Sequence, residues 1–318
     1  MKLRQSANIT KFSWRNFLWI SIVHLIALTL SWYYFSWSAF IIFIVLHYLT
    51  GMYGITFGFH RLLSHKGFKA ALPLEYTAAF FGTLACQGGP ISWIGQHRVH
   101  HAFSDKSEDP HNINKGFWHS HIGFIFNRRA DLNSSEEVAY YCPDIAKNKY
   151  YMFLEKNMIP IQFAVGFMLL GLGGIIGPNP GFDWHNAISV MIWGIFVRLV
   201  TVYHITWFVN SATHKWGTRP IPTNDESRNN WWVGILAFGE GWHNHHHAQP
   251  RSARHGWKWW QLDQTWLLIK SLEFFKLIKD VTLPNTSILN NSVQVAQNEN
   301  SKLHKVTAKT GYNTKKII

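Results

Sequence analysis

The sequence predicts an all-α integral membrane protein: four transmembrane helices in two hairpins, beneath a cytosolic helical cap that gathers a histidine-rich site. Three observations carry this. Charged residues make up only 15% of the 318-residue chain, although 47% is hydrophobic and 17 residues are tryptophan; a typical soluble protein carries about 25% charge. The apolar residues are segregated into four runs, each long enough to cross a bilayer core as a helix. Nine of the 19 histidines fall in four short windows at or beyond the ends of these runs.

The leader holds Lys2, Arg4, Lys11 and Arg15 without an acid, which marks the cytoplasmic side. The expected spans are 17–37, 39–58, 161–177 and 188–209, with Arg198 the one full charge inside them. The turns between spans one and two and between spans three and four carry no Lys or Arg, so both termini are expected in the cytoplasm. The polar blocks 60–160 and 210–282 then form a cap on that side. Within it, 73–94 is apolar but broken by Gly88, Gly89 and Pro90, and is expected to lie along or dip into the interface. Residues 231–238 are too few to span. From Leu283 the composition turns to Asn, Ser, Thr, Gln and Lys without periodicity, so 283–318 is expected to be a mobile polar tail beyond a domain of 1–282. No internal repeat is visible.

The basic leader and loops account for most of the net charge of +13, and no recognition motif points to nucleic acid. The first apolar run is long and lacks a small-residue cleavage site, against a signal peptide. Cys86 and Cys142 have no CxxC or framework spacing and are expected to be one buried thiol and one loop thiol.

The histidine windows are HRLLSH (His60, His65), HRVHH (His97, His100, His101), NSATH (His214) and HNHHH (His243, His246, His247). Nine ligands are too many for one metal and about right for two. On a helix each residue advances about 100°, so each H-x-x-H-H string falls within one arc and can converge on one site, with His245 pointing elsewhere. The five-residue step from His60 to His65 rotates by about 140°, so these two are expected to bracket a site from different elements. Asn210, four residues before His214, is placed to hold a metal-bound water. His24, His47, His185, His204, His255 and His304 are read as structural. Imidazole suits iron, copper, nickel and zinc alike. A dinuclear centre beside greasy spans, with room for an exogenous ligand, points to dioxygen chemistry.

Together HRLLSH, HRVHH followed by SDKSEDPH, NSATH and GEGWHNHHH resemble the membrane fatty acyl desaturases, over about residues 40–275. The likeness is to the Δ9 (stearoyl-type) group, which includes acyl-CoA and bacterial acyl-lipid enzymes. The resemblance implies two irons bound by His60, His65, His97, His100, His101, His214, His243, His246 and His247, with Asn210 near one iron through water. It implies oxygen-dependent insertion of a cis double bond into a saturated acyl chain, and places Gln87, Trp93 and Thr206 at the bend of an acyl tunnel. Arg98, with Arg251 or Arg254, would contact a phosphate or carrier, a solvated basic face being the competing reading. Asp105, Glu108, Asp109, His111 and Glu240 lie close in sequence to ligands and are expected to accept a second ring N–H.

No haem-binding HPGG motif is fused to the chain, so electrons are expected from a separate donor such as a ferredoxin or small haem cytochrome. QPRSARHG departs from the animal acyl-CoA enzymes and leaves the carrier open among CoA, carrier protein and glycerolipid. The expected location is the bacterial cytoplasmic membrane, with the active site facing the cytoplasm. Two rivals remain: a related hydroxylase or ketolase, and a membrane metal transporter or sensor. Counting back by fours from His60 gives Thr56, Met52 and Tyr48, a stripe expected to wall the acyl chain, with Met52 and Tyr48 as its floor.

Overall fold

The computed structural model describes residues 1–4 and 10–288. Its principal helices are α1 (Trp14–Leu30), α2 (Trp37–Ser64), α3 (Leu72–Leu84), α4 (Pro90–Phe103), α5 (Lys149–Ile176), α6 (Trp184–His214), α7 (Trp231–Leu236), α8 (His243–Ala248) and α9 (Gln264–Phe274). Of these, α2, α5 and α6 are long and apolar enough to cross a membrane, while α1 is a shorter apolar helix of 17 residues.

The first expected run therefore ends early. Ser36 caps α2, accepting from Ala39 N at 3.2 Å, so the chain turns after Leu30 and restarts at Trp37. Asn148 likewise starts α5 at Lys149, well before residue 161, accepting from Tyr150 N at 2.8 Å and Tyr151 N at 3.3 Å. Hydropathy sees neither cap. Pro160 is accommodated inside α5.

The two hairpin turns are tied together at one end of the bundle. Ser36 and Ser38 hydroxyls donate to Asn186 Oδ1 at 2.7 and 2.6 Å, and Trp193 Nε1 donates to Tyr34 O at 2.9 Å. Arg198 is buried in α6 and spends its donors on Gly194 O (2.7 Å) and Leu84 O (2.8 Å).

From Tyr48 to Ser64 the second half of α2 is wound as a π-helix, closed at its end by His65 N to His60 O at 3.1 Å. Against it packs α3, so closely that a Cβ on Gly54 would lie 2.3 Å from Gly82 N. The apolar segment 73–94 resolves into α3 and the first turn of α4. Cys86 (φ 51°) and Gly88 (φ 104°) make the break, and Pro90 opens α4. Cys86 and Cys142 are both free thiols; Cys142 lies in a loop as expected, but it is buried like Cys86.

Two antiparallel strand pairs supplement the helices: β1 (Thr10–Phe12) with β3 (Asn127–Arg129), and β2 (Lys69–Ala70) with β4 (Ile278–Lys279). Past β4 the chain stays bound, with Thr282 N donating to Gly67 O at 2.8 Å and Asn285 N to Gln249 Oε1 at 2.8 Å. The rest of the expected tail, with His304, lies outside the described residues.

Candidate metal centre

Four helix ends converge opposite the hairpin turns: the C-termini of α2 and α6, the C-terminal half of α4, and α8. They sort the nine histidines into two groups whose ligand atoms lie within 4.8 Å of one another: His60, His65, His97, His101 and His246; and His100, His214, His243 and His247. In the first, His65 and His97 Nε2 are 2.7 Å apart, and His246 Nε2 is 3.1 Å from His60 and 3.0 Å from His101. In the second, His247 Nε2 is 3.1 Å from His243 and 3.4 Å from His100.

Each H-x-x-H-H string therefore divides between the groups and does not converge on one. The i, i+4 pairs share a face and meet at one centre: His97 with His101, and His243 with His247. The i+3 residues, His100 and His246, turn to the other centre. His60 and His65 meet at one site, the five-histidine group, as expected, but they do so from the single π-wound end of α2 and not from different elements. In a π-helix, i→i+5 bonding widens the turn and brings residues five apart onto one face.

Carboxylates set the direction of the rings. His214 Nδ1 lies 2.8 Å from Asp105, His100 Nδ1 2.9 Å from Asp109, His247 Nδ1 2.8 Å from Asp225, and His60 Nδ1 2.7 Å from Glu240. A carboxylate on Nδ1 keeps the proton there and leaves the Nε2 lone pair facing its neighbours. Convergent lone pairs about 3 Å apart repel one another; that is also the spacing of adjacent nitrogens around a metal bound at about 2.1 Å. The donor set therefore fits two metal ions. Burial lowers the pKa of His65, His97, His100, His101, His243 and His246 well below the usual range, which keeps these imidazoles neutral and able to ligate. Burial also pushes the Asp109 carboxyl up to about 7; a cation on His100 would favour its anion.

Asp225 has no sequence proximity to its histidine, 22 residues on, and was not anticipated; nor was the clamp behind Glu240. Arg61 gives Nε and Nη2 to Glu240 Oε1 at 3.0 and 2.9 Å, and reaches Asp263 at 2.9 and 3.1 Å. His255, read as structural, sits buried with Nδ1 3.2 Å from Glu240 Oε2. Glu108 bonds Ser107 and touches no histidine ligand among the described residues. His111 packs its ring 4.1 Å from His100 while Asp109 takes the ring proton, so it is a neighbour of that pair and not an acceptor in it. His245 turns away, stacked on Trp257 at 4.3 Å.

A largely apolar cavity opens onto both groups, lined by His47, Gly51, Ile55, Thr56, His60, Trp93, His97, His100, Val202, Ile205, Thr206, Val209, Asn210, Ala237, Phe238, Glu240 and His243.

The fatty acid desaturase profile matches residues 35–274. The chain is 47% identical over 280 residues to an sn-1 stearoyl-lipid 9-desaturase of Synechocystis sp., covering 88% of this chain and 83% of that one. It is 49% identical over 249 residues to an sn-1 stearoyl-lipid 9-desaturase of Anabaena variabilis (78% and 86% covered), and 41% identical over 278 residues to an sn-2 palmitoyl-lipid 9-desaturase of Nostoc sp. (87% and 93%).

The chain belongs to the fatty acid desaturase family.

In this desaturase Gln87, Trp93 and Thr206 form one connected group. Gln87 donates to Thr206 Oγ1 at 2.9 Å and accepts from Trp93 Nε1 at 3.4 Å, and Trp93 stacks on His97 at 5.0 Å. The other residues expected at the substrate are placed as follows. Arg98 forms a bidentate pair with Asp144 (2.6 and 3.0 Å) and donates to Leu63 O, so the cap consumes its donors. Arg254 folds back on the carbonyls of Gly256 and Trp257, leaving Arg251 exposed. The cavity wall runs along Gly51, Ile55, Thr56 and His60, whereas Tyr48 is 41% exposed with its ring on Phe238, and Met52 lies off the lining. The fours-stripe assumed an α-helix, and π-winding rotates that face away.

Proposed function

We propose that this chain is a membrane acyl-lipid 9-desaturase, inserting a cis double bond into a saturated acyl chain held on a glycerolipid. The observation that carries it is the nine-histidine, two-group centre at the wall of an apolar cavity. The relatives' names favour a lipid carrier over CoA or carrier protein.

His60, His65, His97, His101 and His246 would hold one iron and His100, His214, His243 and His247 the other, with Asn210 beside them at the cavity wall. The irons would supply, with dioxygen as oxidant and electrons from a separate donor protein, the power to remove hydrogen from an unactivated methylene pair, which no side chain is basic enough to do. The chain's own residues do the positioning. The apolar walls, among them Ile55, Val202, Ile205 and Val209, exclude water and hold the acyl chain against the centre. Gln87 and Thr206 fix the bend, and Trp93 presses it toward His97. Asp105, Asp109, Asp225 and Glu240 hold the Nδ1 protons that aim Nε2 inward.

We place α1 as a fourth span, short enough to need local thinning of the bilayer. Both termini and the centre then face the cytoplasm, in a domain of residues 1–282. Expression in a host lacking this activity, followed by lipid mass spectrometry with double-bond localisation, tests the reading. Loss of two hydrogens at C9 of a glycerolipid acyl chain supports it. A product heavier by one oxygen would assign the chain to the hydroxylases, and unchanged lipids with altered cell metal would indicate transport.

A further inference from the structure

The two histidine groups differ in the charge placed behind them. Three of the four histidines in the smaller group pass Nδ1 to a carboxylate: His214 to Asp105, His100 to Asp109 and His247 to Asp225. None of these carboxylates is paired with a lysine or arginine among the described residues. They are held instead by neutral donors, such as Glu226 N on Asp105 at 2.7 Å and Thr223 Oγ1 on Asp225 at 2.9 Å. In the larger group only His60 reaches a carboxylate, among the described residues, and that carboxylate, Glu240, is partly offset by the buried Arg61 guanidinium at 2.9 Å, which it shares with Asp263. The larger group is also the less tightly buried one: His65, His97 and His101 are partly accessible, whereas in the smaller group only His247 is.

We propose that the four-histidine site binds its divalent cation more tightly than the five-histidine site, despite having one ligand fewer, because Asp105, Asp109 and Asp225 supply uncompensated negative charge behind it. A carboxylate on Nδ1 makes imidazole a stronger donor and adds an anion near the metal, and losing one such partner lowers metal affinity about 10- to 100-fold. Under metal limitation the chain accumulates a one-metal form occupied at His100, His214, His243 and His247.

The inference rests on the two groups holding iron. The test is anaerobic equilibrium of the iron-loaded full chain in lipid nanodiscs against graded concentrations of a ferrous chelator, counting iron per chain. Wild type should lose iron in two steps separated by at least about tenfold in chelator. His65→Ala should keep the tight step, and His243→Ala should lose it. Asp225→Asn, and independently Asp105→Asn, should move the tight step about 10- to 100-fold toward the weak one, with the tryptophan-fluorescence unfolding profile reporting that the fold survives. Glu240→Gln should move only the weak step. A single step in wild type, a tight step that survives His243→Ala but not His65→Ala, or tight steps unmoved in folded Asp225→Asn and Asp105→Asn would overturn the proposal. A wild-type chain holding no iron would instead sink the di-iron reading itself.

Discussion

Gln87 donates to Thr206 Oγ1 at 2.9 Å, joining the break between α3 and α4 to the middle of α6. Thr206 lines the cavity, where the proposed acyl chain would turn. Removing the acceptor in Thr206→Val leaves Gln87 Nε2 with only the longer contact to Val202 O at 3.3 Å. A hydrogen bond of this kind is worth about 0.5–1.5 kcal/mol, so desaturated product should fall about two- to tenfold, and Thr206→Ser should restore it. Gas chromatography of host lipids gives the ratio; equal yields in all three would show the bond has no part in positioning.

The division of the last histidine string gives a sharp comparison. His246 belongs to the five-histidine group and His247 to the four-histidine group, while His245 stacks on Trp257. His246→Ala and His247→Ala should each abolish product and lower bound iron by about one equivalent. His245→Ala should retain both irons, losing stability through its stacking contact, worth about 1 kcal/mol. Equal iron loss in all three variants would refute the assignment.

Chain-length preference should follow the π-wound face of α2. A Cβ on Gly51 would lie 2.7 Å from the Phe238 ring, which lines the cavity beside it. Gly51→Ala should therefore crowd the cavity and shift product toward shorter acyl groups, and Phe238→Ala should shift it toward longer ones. Each methylene accommodated is worth up to about 0.8 kcal/mol, a fewfold change in product ratio. Met52→Ala, off the lining, should leave the C16 to C18 ratio unchanged; a shift as large as that of Phe238→Ala would return the floor to the fours-stripe.

Arg98→Ala should act on stability more than on substrate choice. Its bidentate pair with Asp144, shared with Lys66 at 2.8 Å, is partly open to solvent, so the loss should be at most about 1 kcal/mol, with substrate KM unmoved. A raised KM for the lipid substrate at unchanged thermal stability would restore Arg98 as a headgroup contact.

Reporter fusions test the crossing by α6, and with it the side on which the metal centre lies. Fusions after Pro180, in the turn before α6, and after residue 288 should report opposite sides of the membrane. The same side for both would require a topology with an even number of crossings between those points.

The sequence by itself determined the inventory. Hydropathy located the apolar helices, and four histidine windows supplied nine candidate ligands, about the number two ions would take, because ligand type and local spacing are properties of neighbouring residues. It also separated His245 from His246 and His247, since only the latter two stand three and four residues after His243, on the same helical arc. Only the tertiary structure decided how the ligands are shared. The angle between His60 and His65, and the stripe through Met52, depend on which helix type α2 adopts, and the π-winding is accommodated within the packing of α2 against α3 and α6. Asp225 behind His247, and Arg61 paired with Glu240, join residues 22 and 179 apart. No periodicity encodes such distances: they are fixed when helix ends meet and buried charges must find partners.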